Sequence, residues 1–202
     1  MTDETTLAVY NAKVSEYQGL SHSQEEGEAL TQFLSAVPSG GYVLDLGCGP
    51  GDSAAKMRSK GFLTDAVDAS TAMVAFANEK FDINARVGSF NELCAIETYD
   101  GVWANFSLLH ATAEDFPNIL NAINTALKPN GALHLGMKTG EGARRDDIGR
   151  FYTFYTESEL QEHLHSSGFT VQNTRTGMGR GLAGTLDAWV TLLSVKSNNQ
   201  SL

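Results

Sequence analysis

Cysteine is scarce in this 202-residue chain, which has only Cys48 and Cys94. Two cysteines make no disulfide framework, so the simplest expectation is a cytoplasmic protein with reduced thiols, held together by a hydrophobic core. No apolar run approaches the ~18 residues of a membrane-spanning helix, which excludes an integral membrane protein of that type. The acidic, polar start Met1-Thr2-Asp3-Glu4-Thr5-Thr6 does not have the form of a secretory signal. Positive charge is also in short supply: 14 Lys and Arg stand against 24 Asp and Glu, a formal net charge of −10. The densest basic spot, Arg144-Arg145, runs straight into Asp146-Asp147. Such a surface repels phosphate backbones, so nucleic acid is not an expected partner and a small molecule is. The histidines and acids fall into no metal-ligand spacing, and no metal is expected. There is no internal repeat or interdomain linker. With 42% hydrophobic and 19% charged residues, the chain reads as one globular domain. Oligomeric state leaves no mark in the sequence.

What is present is concentrated between Tyr42 and Ser53, which reads Y-V-L-D-L-G-C-G-P-G-D-S. The apolar run Tyr42-Val43-Leu44 passes through Asp45 into Gly47, Gly49 and Gly51, and a potential helix follows from Ser53. Strand, glycine turn and helix in this order open a nucleotide pocket in α/β folds. Glycines there tolerate positive φ and let a ligand approach the backbone. A dinucleotide fingerprint would need a small residue at the sixth position from Gly47, where this chain has Asp52. With Asp45 and Asp52 close by, the turn disfavours a pyrophosphate and suits a neutral or cationic ligand. An NAD(P)-dependent oxidoreductase is disfavoured on the same ground.

The run D-L-G-C-G-P-G closely resembles the first motif of the class I S-adenosylmethionine-dependent methyltransferases, and the order of elements matches that family over roughly residues 40 to 195. The resemblance implies an α/β, Rossmann-like, doubly wound seven-stranded sheet, mostly parallel with the last strand antiparallel. It also implies S-adenosylmethionine as cofactor, methyl transfer to a small-molecule acceptor, and N-terminal helices covering the cofactor site. The expected division is a helical cap over residues 1–40 and a methyltransferase domain over 41–196. The competing function is a catalytically silent protein that binds the adenosyl cofactor for regulation.

A helix over Thr5 to Gln18 puts Tyr10 and Tyr17 on one face, where they either pack on the domain or reach the cofactor. Another helix is expected from Gln24 to Ala36. A strand from Phe62 to Val67 ends in Asp68-Ala69-Ser70, with Asp68 twenty-one residues after Gly47. A carboxylate at that distance is placed to accept both ribose hydroxyls; otherwise it caps the helix that follows, which carries Met73 near its start. After a short strand over Asn84 to Gly88 come Ser89 and Phe90. The family often has an acid at the Ser89 position for the adenine amino group, so serine is a departure. Phe90 either stacks on adenine or sits in the core. The strand Asp100 to Phe106 ends at Asn105-Phe106-Ser107-Leu108, lacking the N/D-P-P-Y/F signature of the nucleobase amino methyltransferases. Asn105 would lie beside the methyl group.

His110, just past that strand, is the best-placed general base among five histidines, its alternative being a histidine that satisfies a loop carbonyl. His134, within the next strand (Ala132 to Met137), reads as a core or edge residue. Lys138 ends that strand. The loop Thr139 to Arg150 and the aromatic run Phe151 to Tyr155 follow. They form either an acceptor pocket, with Lys138, Arg144, Arg150 and Tyr155 as its contacts, or a solvated loop in which arginines pair with Asp146 and Asp147. A helix to Ser166 and strands Phe169 to Thr176 and Leu186 to Val195 complete the chain.

Overall fold

The computed structural model describes residues 3–18 and 24–197. Helices α1 (Glu4–Ala12), α2 (Val14–Gln18) and α3 (Gln24–Ser35) precede β1 (Tyr42–Leu46) and α4 (Asp52–Ser59). Then come β2 (Leu63–Asp68), α5 (Thr71–Phe81), β3 (Arg86–Val87), β4 (Tyr99–Asn105), α6 (Asp115–Ala126) and β5 (Leu127–Lys138). The chain continues through β6 (Ala143–Arg145), β7 (Phe151–Thr153), α7 (Glu157–Ser166), β8 (Phe169–Arg180) and β9 (Leu186–Lys196). The main sheet has seven strands in the order β3-β2-β1-β4-β5-β9-β8. The first five strands in that order are parallel, and β9 runs antiparallel to both β5 and β8. This is the expected Rossmann-like architecture. No described helix is long and apolar enough to cross a membrane.

Alternation along β1 explains why the sheet is covered on both faces. Val43 joins a cluster with Leu30, Phe33 and Trp103 beneath α3, while Leu44 joins the larger core with Phe116, Leu120 and Leu160 beneath α6 and α7. Successive strand residues point to opposite faces, and a parallel sheet needs helices on both. The strand order reverses between β1 and β4, and ligands in open α/β sheets bind beyond the carboxyl ends of the strands at such a point.

Three local readings change. The single helix expected over Thr5 to Gln18 is two, because Lys13 leaves helical geometry at φ −118° and ψ 25°. Asp3 caps α1, its side chain accepting from the Thr6 amide. The presumed loop before Phe151 contains a small hairpin, with β6 paired antiparallel to β7. And β8 runs four residues past Thr176, so the last hairpin reaches farther over the carboxyl edge than its apolar pattern suggests.

At the turn after β1, Gly47 has φ +84°, and a Cβ there would lie 2.3 Å from Cβ of Ser107. Ser107 in turn donates from Oγ to the Leu46 carbonyl at 2.6 Å. The ends of β1 and β4 therefore touch through a position that admits no side chain. Gly47→Ala should combine left-handed strain with a backbone clash and lower unfolding free energy by about 3 kcal/mol. Denaturant titration of the two proteins measures it.

Candidate functional site

A cavity of about 330 Å³ opens at the carboxyl ends of β1 and β4. From the glycine turn, Asp45, Gly47, Cys48 and Gly49 line it. From α1, α2, β4, β5 and the segment before β7 come Tyr10, Tyr17, Asn105, Lys138 and Arg150. The nine residues just named were all singled out from the sequence. Gly49, at φ +51°, is the turn glycine with open space beside it: a Cβ there would meet only the Tyr17 ring, at 3.8 Å. Gly51 serves packing instead, because a Cβ there would meet Ala77 and Ile83 at 2.8 Å.

Asp45 is 2% exposed, and its Oδ2 has no hydrogen-bond partner. Burial pushes its carboxyl up to about 8, with the nearby Asp68 and Glu26 charges adding to the effect and the Ala54 amide opposing it. A buried carboxylate left in this condition is costly and suits a cationic ligand group. The cavity end at the glycine turn therefore fits the ammonium and sulfonium charges of an amino-acid sulfonium cofactor.

Asp68 lies at the tip of β2, as expected, but not as a helix cap. Its Oδ2 accepts from the Gly49 amide and its Oδ1 from the Ser70 amide, both at 2.8 Å. The cap of α5 is Ser70, whose Oγ accepts from the Met73 amide at 3.1 Å and donates to Asn11 of α1 at 2.7 Å. Asp68 thus ties the glycine turn to β2. Neither it nor Ala69, Ser70, Met73, Ser89 and Phe90 borders the cavity. Ser70 and Met73 are buried beneath α1, the Ser89 amide donates to Glu92, and Phe90 packs on the main core.

His110 is bound on both nitrogens. Its Nδ1 lies 2.6 Å from the Phe151 carbonyl and must donate there, which leaves Nε2 to accept from the Tyr10 hydroxyl at 2.7 Å. Burial lowers its pKa to about 4, and the Arg150 charge lowers it further against the pull of the Phe151 carbonyl. The loop-carbonyl contact is therefore present through Nδ1, Nε2 accepts a hydrogen bond, and Tyr10, not His110, borders the cavity. Arg150 donates to the Tyr10 hydroxyl at 3.0 Å and is clamped to Asp146 at 2.7 and 2.9 Å.

Arg144 and Tyr155 are not at the site. Arg144 is exposed, its guanidinium 3.8 Å from the centre of the Phe154 ring. Tyr155 stacks on Phe116 in the core at 4.8 Å, its aromatic surface claimed by packing. Lys138 takes the position expected of the loop arginine, pairing with Asp187 at 2.7 Å above the Tyr152 ring.

Sequence reasoning missed the cavity wall made by the last hairpin: Arg175, Met178, Arg180, Asp187 and Trp189. The available signal was the alternation of Gly177, Gly179 and Gly181; that Trp189 faces them follows only from the strand register. Trp103 was also missed. It stacks on buried His134 at 3.7 Å, and His134 Nε2 lies 3.0 Å from Asn105 Oδ1. Donation from that nitrogen turns the Asn105 amide so that its NH2 group is left for other partners.

The family model for a methyltransferase domain matches residues 43–131. An uncharacterized methyltransferase of Staphylococcus carnosus is 23% identical over 195 residues, covering 93% of this chain and 92% of the relative. Trans-aconitate 2-methyltransferase of Escherichia coli is 30% identical over 125 residues, covering 58% and 48%. Among solved structures, the 1,6-didemethyltoxoflavin-N1-methyltransferase of Burkholderia thailandensis, with 1,6-didemethyltoxoflavin and S-adenosylhomocysteine bound, matches with a TM-score of 0.74 at 23% identity. The match covers 95% of this chain and 88% of that one.

The Asp45 carboxyl has a testable signature. Its folded pKa of about 8 lies above the unfolded value, so the folded state binds the extra proton between the two. The stability it contributes is complete below about pH 4 and is lost as pH rises through 8. Asp45→Asn should remove this decline, so that the variant gains on the parent in thermal denaturation at pH 8 but not at pH 4.

Proposed function

We infer that this chain, a member of the class I S-adenosylmethionine-dependent methyltransferases, methylates a small-molecule acceptor in the cavity between the ends of β1 and β4. The observation that carries the reading is the orphaned, buried carboxylate oxygen of Asp45 beside an open glycine backbone. Bound S-adenosylmethionine supplies a methyl group on a positively charged sulfur, which is already electrophilic. Asp45 and the Gly47–Gly49 backbone would take the cofactor's amino-acid end. Asp68, pre-oriented by two backbone amides, would accept the ribose hydroxyls with lone pairs those amides leave free. Ala69 would border the ribose, and Ser89 and Phe90 the adenine, where the cofactor extends past the cavity toward β2 and β3; Ser70 and Met73 stay buried as the cap and core of α5. Residues 1–40 would act as a cap on a domain spanning 41–196, with Tyr10 and Tyr17 covering the cofactor. Asn105 would present its NH2 group beside the methyl.

The protein's remaining task is to align the acceptor and remove its proton. Positioning can supply ~7–11 kcal/mol in favourable cases. For an oxygen or nitrogen acceptor, Tyr10 would take the acceptor's proton as it passes its own to His110 Nε2. The Phe151 carbonyl would hold the resulting imidazolium through Nδ1–H. His110 is then a relay behind Tyr10, and Arg150 fixes the tyrosine oxygen between them.

Calorimetry should show S-adenosylmethionine and S-adenosylhomocysteine binding and NAD not binding. At pH 7, S-adenosylmethionine should displace about one proton from Asp45, seen as a heat that changes with the ionisation enthalpy of the buffer. The exchange should vanish in Asp45→Asn, whose affinity should fall by about 2–5 kcal/mol. Absence of binding by both adenosyl ligands overturns the reading. A screen of small metabolites for incorporation of labelled methyl identifies the acceptor.

The proton relay has its own measurement. Because His110 is held near pKa 4, turnover should show no acid limb from this residue between pH 6 and 7. Tyr10→Phe and His110→Ala should each lower kcat about 100-fold with nearly unchanged cofactor affinity. Undiminished turnover in both would reduce the pair to a structural contact.

A further inference from the structure

We propose that the acceptor half of the cavity is built for a planar acceptor bearing a single negative charge, seated on Trp189 and held by Arg180 and Lys138. The proposal rests on the methyltransferase assignment above. Its first support is charge. Only 14 residues of the chain are Lys or Arg, yet Lys138, Arg150, Arg175 and Arg180 all line this one cavity. The lining acids Asp45, Asp52 and Glu26 come from β1, α4 and α3, whereas the four cations come from β5, the approach to β7 and β8, with Asp187 of β9 beside them. The cavity is therefore divided, with an acidic end for the cationic cofactor and a basic end for something else.

Three of the four cations already face a carboxylate. Lys138 pairs with Asp187 at 2.7 Å, Arg150 with Asp146 at 2.7 Å and Arg175 with Glu28 at 2.6 Å. Asp187 also accepts from the Thr185 hydroxyl at 2.9 Å. Among the described residues Arg180 has no carboxylate partner, and it donates to the Gly184 carbonyl at 2.6 Å. The basic end therefore carries one uncompensated positive charge, which matches a monoanion. Lys138 sits where the hairpin folds back, its Nζ 3.6 Å from where a Cβ on Gly181 would be. An anion reaching Arg180 along this wall meets a second cation whose carboxylate is shared with Thr185.

The second support is shape. Trp189 of β9 pairs with Gly177 of β8. A Cβ on Gly177 would lie 2.3 Å from the indole Cζ2, and one on Gly179 would lie 3.3 Å from Cδ1. Two glycines at alternate positions thus let the indole lie flat across β8. No aromatic ring among the described residues stacks on it, and it borders the cavity. A half-buried indole with one side seated on bare backbone is a platform for a flat ring, and offset stacking adds about 0.5–1.5 kcal/mol to the area buried.

The test uses the whole protein loaded with S-adenosylhomocysteine and three probes: salicylate, its neutral amide salicylamide, and the non-planar cyclohexanecarboxylate. Calorimetry should find salicylate bound about tenfold or more tighter than either. Arg180→Ala, a change at an exposed side chain, should weaken salicylate about tenfold and leave salicylamide unchanged. Trp189→Leu should erase the preference over cyclohexanecarboxylate. Equal affinities for acid and amide, indifference of salicylate to Arg180→Ala, or no binding of salicylate at millimolar concentration each overturn the proposal. Failure of the parent protein to bind S-adenosylhomocysteine would strike the cofactor assignment instead, so the two failures are told apart in one experiment.

Discussion

A buried carboxyl group with one oxygen left unbonded is the constraint on which this molecule turns. Asp45 sits at the end of a central strand, walled off from water and close to the charge of Asp68. A hydrophobic residue at that position would pack without penalty, so the carboxylate is a cost the fold carries. The surrounding features make sense as support for that cost. Gly47 brings β1 against β4, Asp68 holds the turn open through the Gly49 amide, and the tyrosines of α1 and α2 close the cavity above it. A cationic ligand group would complete the electrostatics that the protein leaves open there.

The same division of charge runs through the cavity as a whole. Its acidic wall is made by β1 and α4, near the amino end of the chain, and its basic wall by β5, the β7 approach and the last hairpin. Between them the Tyr10–His110–Arg150 group holds polar atoms in a fixed order of donors and acceptors. Each side chain there has one role because its other atoms are occupied. This gives the centre of the cavity a fixed sequence of hydrogen bonds from Arg150 through Tyr10 and His110 to the Phe151 carbonyl.

What the sequence made legible was local and periodic. The strand–turn–helix at Tyr42 to Ser53 announced itself through glycine chemistry. The alternation of strand and helix implied the sheet, and Asp45, Tyr10, Tyr17, Asn105 and Lys138 all reach the cavity. What stayed hidden depended on contacts between distant segments. Arg144 and Arg150 share one loop, but a short hairpin sends the first over Phe154 and the second inward to Tyr10. Tyr155 resembles a pocket tyrosine until α6 supplies Phe116 to stack on it. The wall containing Arg180 and Trp189 depends on the register of β8 against β9, and no one-dimensional pattern shows that Gly177 faces an indole. His110 carried two readings in sequence, and the fold shows the loop-carbonyl one through Nδ1, with Nε2 bonded to the Tyr10 hydroxyl.

The first helix is fastened on two sides: at its start Arg145 grips Asp3 through two bonds of 2.8 and 2.9 Å, and at its far end Asn11 accepts from Ser70 and Ala72 at 2.7 and 3.2 Å. One fastening is an accessible ion pair and the other a neutral bond network, so dissolved salt weakens only the first. Raised ionic strength therefore loosens the Asp3 end of the helix before the Asn11 end.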